Sequence, residues 1–205
     1  MYTLFYYPQS ASLAPHILLE LIGEPYQLEL VDIKKNANRS AQYLKLSPAG
    51  QVPALVDDDF TLFESAAISQ YLAEKHIDKQ LIPTELKLKS QCLQWMHFMS
   101  ASIHSDLLMY TYPERHTQSA LMYDDLIRSQ QGRLEQGFGI VDALLQDNHY
   151  LFANQFTLCD SYLFMLCERA KTFLERTPSL KNLRRYYRQI SATPAINKAL
   201  EMAEF

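Results

Sequence analysis

Along residues 1–77 the apolar pattern switches repeatedly between a period of two and a period near four, and beyond them it does not return to two. A period of two puts alternate side chains on one face of a strand, and a period of 3.6 lines one face of a helix. "YTLFYY" (Tyr2–Tyr7) reads as a strand ending at Pro8, and "LAPHILLELIG" as a helix closing on Gly23. In "YQLELVD", Tyr26, Leu28 and Leu30 alternate with Gln27 and Glu29, which completes a βαβ unit of about the usual 30 residues. A polar stretch follows with a short helix around Ala41–Leu46. "VPALV" and "FTLF" form a hairpin with acids in its turn, and "ESAAISQYLAEKH" a helix with the stripe Ala67, Ile68, Tyr71 and Leu72. The order β-α-β-α-β-β-α specifies a compact four-stranded sheet with helices packed on it.

Everything after this is helical in pattern. Leu93, Met96, Ser100, Ile103 and Leu107 make one stripe, and Leu134, Phe138, Val141 and Leu145 another, although Gly137 and Gly139 weaken the second helix. Thr157 and Asp160 form a capping box with Asp in the third helical position, opening an apolar and therefore central helix, "SYLFMLCERA". Thr193–Pro194 opens one more helix. The expected division is a small α/β domain over 1–77, a linker over 78–87 and an all-helical domain over 88–205.

Charge and cysteine usage narrow the function classes. The net charge of −4 comes with no basic face, which argues against a nucleic-acid partner. Arg184, Arg185 and Arg188 are expected on the solvated side of a helix. Cys92, Cys159 and Cys167 lie in apolar helical contexts without metal-ligand spacing, as in a cytoplasmic protein with reduced, buried thiols and no metal. The first residues read as a strand, not as a signal core, and no apolar stretch is long enough to span a bilayer.

Three segments in order, "FYYPQSASLAPHILLE", "GQVPALVDDDFTLFESAAISQYL" and "FTLCDSYLF", resemble the glutathione transferase family, most nearly its bacterial beta class. The resemblance covers nearly the whole chain. It implies a thioredoxin-like N-terminal domain followed by a helical bundle, a homodimer, glutathione as co-substrate and a small hydrophobic electrophile as the second substrate. It also implies a cis peptide bond between Val52 and Pro53, with the Val52 backbone pairing with the tripeptide. At Glu64–Ser65 a helix N-terminus favours an anion, so Ser65 is expected to hold the γ-glutamyl carboxylate and Glu64 the ammonium. Gln51 is a further contact, and Lys34 or Lys35 is expected to meet the glycyl carboxylate. His104 matches the family's histidine near the sulfur, while His97, seven residues earlier, stays structural. Tyr110, Tyr112 and Met109 are candidates to line the electrophile site.

The chain departs from the beta-class pattern "P-x-A-C-S-L": it reads "P-Q-S-A-S-L", with Ala11 at the cysteine position. A thiol of pKa ~8.5 lowered by about two units requires roughly 2.7 kcal/mol. A hydrogen bond to a charged acceptor contributes about 1.5–3 kcal/mol, and a helix N-terminus roughly 0.3–1. One hydroxyl therefore suffices. Ser10, Ser12 and Tyr6 are the candidates: Ser12 as N-cap, with Pro15 then in the third helical position, Ser10 freer to face a ligand, and Tyr6 in the strand. The alternative reading is a non-catalytic glutathione-binding or adaptor protein on the same fold.

Overall fold

The computed structural model describes residues 1–152 and 155–202. Four strands, β1 (Tyr2–Tyr6), β2 (Tyr26–Leu30), β3 (Ala54–Asp57) and β4 (Phe60–Phe63), form one sheet in the order β2-β1-β3-β4. β1 runs parallel to β2 and antiparallel to β3, and β3 antiparallel to β4. Asp58 carries the β3–β4 turn at φ 54°. Helices α1 (Leu13–Ile22), α2 (Ala41–Leu46) and α3 (Ser65–Lys75) complete this half, as the alternating pattern requires. Gly23 closes α1 at φ 79°, its N–H donating to the Leu19 carbonyl at 3.0 Å. The left-handed conformation explains why a glycine stands there.

The second half is α4 (Leu86–Phe98), α5 (His104–Thr111), α6 (Tyr123–Leu144), α7 (Leu158–Arg169), α8 (Lys171–Arg176), α9 (Lys181–Ser191) and α10 (Pro194–Met202). The core is continuous across the two halves. α1 packs against α3, α7 and α10, and nearly all of α1 and α7 is buried. Burial on every side explains why α7 reads as an apolar, central helix. Leu81 and Ile82, within the expected linker, are buried too, and the Leu81 carbonyl accepts the Leu158 N–H at 2.9 Å. No helix among the described residues is long and apolar enough to cross a membrane.

Three local expectations are corrected, and one glycine gains a packing reason. The buried stripe of α3 is Ser65, Ile68, Ser69, Leu72 and Ala73, with Ala67 and Tyr71 only flanking it. Between α4 and α5 the chain makes a π-helical turn, Met99–Ile103. The buried residues are consequently Cys92, Met96, Met99, Ile103 and Leu107, so Leu93 and Ser100 rotate off the stripe. α6 runs unbroken through Gly137 and Gly139. A Cβ on Gly137 would come within 3.1 Å of the Ile103 side chain, so the glycine lets α6 approach the π turn closely. Finally, Arg184 and Arg185 are not merely solvated: Arg184 donates to the carbonyls of Leu174 and Glu175 in the last turn of α8, and Arg185 to those of Leu145, Gln146 and Asn148 just beyond α6. Helix C-termini leave such carbonyls unpaired, and cations stabilise them.

Thr157 and Asp160 cap α7 as expected. The Asp160 carboxylate accepts from the Thr157 N–H at 2.8 Å and the Thr157 hydroxyl at 3.1 Å. It does more: it also accepts from the Leu151 N–H at 2.8 Å and the Tyr186 hydroxyl at 2.9 Å. Complete burial pushes its pKa up to about 6, and these donors pull the other way.

Candidate functional site

Three turns converge beside the N-terminus of α1. The first is the β1–α1 loop, in which Gln9 adopts φ 55°. The second precedes β3, where the Val52–Pro53 peptide bond is cis. The third is the entry to α3, with Glu64 at φ 74°, a conformation L residues rarely adopt and one that recurs at functional sites. Ser65 joins the first and third: its hydroxyl donates to the Ala11 carbonyl at 2.7 Å. The buried Ser65 side chain is thus fixed, and the first N–H groups of α3 sit against the loop. Glu64 is exposed at the rim. Val52 makes no backbone hydrogen bond among the described residues, which leaves a donor and an acceptor for an extended peptide.

The same rim carries Gln51, exposed, its carbonyl accepting from the Tyr43 hydroxyl at 2.8 Å. Burial raises the Tyr43 pKa, so this phenol remains a donor. Lys34 and Lys35 both lie on the surface, Lys35 paired with Asp32 at 3.1 Å. The nearby ammonium and backbone donors hold the Asp32 carboxyl below its ordinary range. Lys34 makes no such pair among the described residues.

The two loop serines are coupled, which differs from the expectation of a free Ser10. Their hydroxyls lie 2.7 Å apart, Ser10 Oγ accepts the Ser12 N–H at 3.2 Å, and the Ser12 hydroxyl donates to the Tyr7 carbonyl at 3.3 Å. Ser12 stands at the N-cap and Pro15 in the third helical position as read, but the Ser12 side chain makes no capping bond to the helix. Tyr6 is half-buried at the end of β1, in register with Leu30.

On the helical side, His104 opens α5 and its Nδ1 lies 2.9 Å from the Tyr162 hydroxyl of α7. Its Nε2 is shielded from solvent with no partner among the described residues. Burial, and secondarily Arg169, lower the His104 pKa to about 3, so the imidazole is neutral near pH 7. His97 is exposed on α4. Arg169, at the end of α7, reaches back across the domain junction, Nη1 lying 3.4 Å from the Gln9 carbonyl. Tyr162 and Arg169 were not singled out in the sequence, where both read as members of a buried helix. Their spacing of seven residues, which puts both on one side of the helix, is the available signal. Tyr112 is half-buried under the Arg115 guanidinium, 4.0 Å from ring centre to carbon, and Tyr110 packs edge-on against Phe173. Met109 is half-buried on α5. Among the described residues no three His, Cys, Asp or Glu side chains cluster so as to hold a metal ion.

Comparisons with known proteins agree with this geometry. Residues 1–74 match the family model for the glutathione S-transferase N-terminal domain and residues 102–202 that for the C-terminal domain. The chain is 31% identical over 200 residues to "Glutathione S-transferase GstA" of Escherichia coli O157:H7, covering 96% of each. It is 28% identical to "Glutathione S-transferase GST-4.5" of Xanthomonas campestris, covering 95% of each. Among solved structures, a glutathione S-transferase from Xylella fastidiosa superposes with a TM-score of 0.92 at 26% identity over 100% of both chains. A homologue from Sulfitobacter, solved with bound glutathione, shares the fold at a TM-score of 0.90, covering 100% of this chain and 99% of that one.

Proposed function

The chain belongs to the glutathione S-transferase family, and we propose that it binds glutathione across these three turns and conjugates it to small hydrophobic electrophiles. The observation that carries this reading is the Ser65–Ala11 hydrogen bond, which sets the N-terminus of α3 against the loop that opens α1. In the proposed complex the γ-glutamyl carboxylate sits on the α3 N–H groups, where the helix dipole favours an anion. Glu64 takes the ammonium, Val52 pairs with the peptide backbone beside Pro53, Gln51 adds a contact, and Lys34 or Lys35 meets the glycyl carboxylate. The thiol then lies beside Ala11. Its proton leaves to solvent, and the Ser10–Ser12 pair donates to the thiolate, with Tyr6 and His104 as the other candidates. His104 serves as a neutral donor, since burial keeps it from carrying charge. The sulfur lone pair forms the carbon–sulfur bond as the leaving group departs with its electron pair. Met109, Tyr110 and Tyr112 line the electrophile side.

In this reading the chain is a beta-class-like member with Ala11 in place of the usual cysteine. It works as a cytoplasmic homodimer in detoxification, with a glutathione-binding domain over 1–77, a linker over 78–87 and a helical domain over 88–205. The family resemblance supports these points. One observation favours a second reading, a glutathione-binding protein without catalysis: both serine hydroxyls already have partners. Calorimetry with glutathione, together with turnover of 1-chloro-2,4-dinitrobenzene, separates the two. Binding with turnover supports the transferase, binding alone the second reading, and no binding removes both.

A further inference from the structure

Arg169 is a guanidinium in an unusual setting. It is half-buried, yet its one hydrogen bond among the described residues is the 3.4 Å contact to the Gln9 carbonyl. Its Nε is shielded from solvent without a partner, and it forms no ion pair among the described residues. The exposed Arg133 pairs with the buried Asp106 at 2.8 Å and the exposed Arg185 donates to several carbonyls, while Arg184, whose Nε is likewise unpartnered, still places Nη2 on two carbonyls at the end of α8. The acid next to Arg169 in sequence, Glu168, is engaged by the Tyr187 hydroxyl. Within electrostatic reach of Arg169 are Tyr112, Tyr162, whose hydroxyl lies 2.9 Å from His104 Nδ1, and a second cation, Arg115, which stacks on Tyr112. Burial and then Arg115 act to lower the Arg169 pKa, with only the tyrosines opposing. A partly buried cation without an acid partner carries a desolvation cost that a bound anion offsets.

The position of this cation matters. Arg169 touches the backbone one residue before Ser10, on the helical-domain side of the loop where the glutathione sulfur is proposed to lie. The tripeptide's own carboxylates have other partners in that reading, at α3 and at Lys34 or Lys35. We propose that Arg169, set against the Gln9 carbonyl with its Nε unpartnered, is a subsite for an acidic group on the second substrate, so that the enzyme prefers electrophiles bearing a carboxylate. The planar guanidinium, with Nε–H and an Nη–H on one edge, suits a two-point contact to a carboxylate. This inference rests on the glutathione-transferase reading above and extends it to the substrate class.

The test uses the glutathione conjugate of ethacrynic acid and the same conjugate with the phenoxyacetate carboxyl as its methyl ester, so that reaction chemistry plays no part. Calorimetry on the wild type is expected to show the acid conjugate binding at least fivefold tighter than the ester. Arg169→Gln should bring that ratio close to one while leaving the Kd for glutathione itself within twofold. Arg169→Lys should keep part of the preference. If the wild type binds glutathione but holds the two conjugates equally, the acidic subsite is overturned and the transferase reading stands. If Arg169→Gln weakens glutathione as much as the acid conjugate, Arg169 belongs to the tripeptide's own site and the inference is again overturned. A wild type that binds neither glutathione nor either conjugate removes both readings. Should Arg169→Gln fail to melt cooperatively, the wild-type ratio and the Arg169→Lys protein still decide.

Discussion

The hydroxyls of Ser10 and Ser12 lie 2.7 Å apart, and the Ser12 hydroxyl donates to the Tyr7 carbonyl at 3.3 Å. Ser10 must then donate to Ser12, so the two side chains form a short relay. An incoming thiolate, as a charged acceptor, competes for the Ser10 proton with a neutral hydroxyl, and charge-assisted bonds are about twice as strong.

If this relay activates the thiol, the Ser10→Ala, Ser12→Ala double variant loses turnover of 1-chloro-2,4-dinitrobenzene by about tenfold or more, equivalent to roughly 1.4 kcal/mol or more. Its glutathione Kd by calorimetry should change little. Unchanged turnover moves the role to Tyr6 or His104.

Ala11→Cys is expected to give the loop a reactive thiol, since a helix N-terminus lowers a cysteine pKa below ~8.5. With oxidised glutathione, intact-mass spectrometry should find one glutathionyl adduct on the variant. The wild type should gain little, because Cys92, Cys159 and Cys167 are all buried and burial pushes the Cys167 thiol up. A variant that stays unmodified means that the loop does not face the sulfur.

Asp160→Ala should be more damaging than loss of an ordinary cap, which costs about 0.5–2 kcal/mol. It strands the Leu151 and Thr157 N–H groups and the Tyr186 hydroxyl in the core. Each unsatisfied buried group costs about 1–3 kcal/mol, so urea unfolding should show a loss of about 3 kcal/mol or more. A midpoint equal to that of the wild type contradicts the assignment.

Acid sensitivity follows from His16, buried in α1 with its Nε2 2.9 Å from the Tyr26 hydroxyl. Burial lowers its pKa from 6.5 to about 4. The unfolded chain binds the extra proton between these values, so this contribution is complete above pH 6.5 and falls away as the pH drops toward 4. Asp160 acts with the opposite sign: its pKa is raised to about 6, and its contribution is lost as the pH rises through that value. Replacing His16 with Gln should therefore shrink the difference in unfolding free energy between pH 7 and pH 5 by about 2 kcal/mol. An unchanged difference shows that His16 titrates normally.

The element order was legible because each segment of the first half carries its own period, and the second half carries stripes that real helices bury. Leu134, Phe138, Val141 and Leu145 are all buried as the spacing requires. The stripe through Leu93 and Ser100 failed because spacing assumes a regular helix, and the π turn shifts the phase where no single residue announces it. Glu64 and Ser65 could be proposed because helix-start chemistry is local, whereas Gln51 and Val52 came with the family resemblance. The Ser10–Ser12 pairing was not, since it depends on Gln9 turning at φ 55°. Arg169 escaped notice because its significance comes from lacking an acid nearby, and a missing neighbour leaves no mark in one sequence.

The π turn also limits how this chain can change. It holds one more residue than an α-helix would over the same rise, so α4 and α5 differ in angular phase by about 100° from a straight helix. Point substitutions can reshape the surfaces on either side, but none removes that offset. Deleting one residue, Ser100 for example, would let the segment snap into regular winding. It would swing His104 away from Tyr162 and carry every later position of α5 round with it. The meeting of the two helices is therefore set by residue number as well as residue type, and a lineage that drops that residue must find another way to build this wall of the cleft.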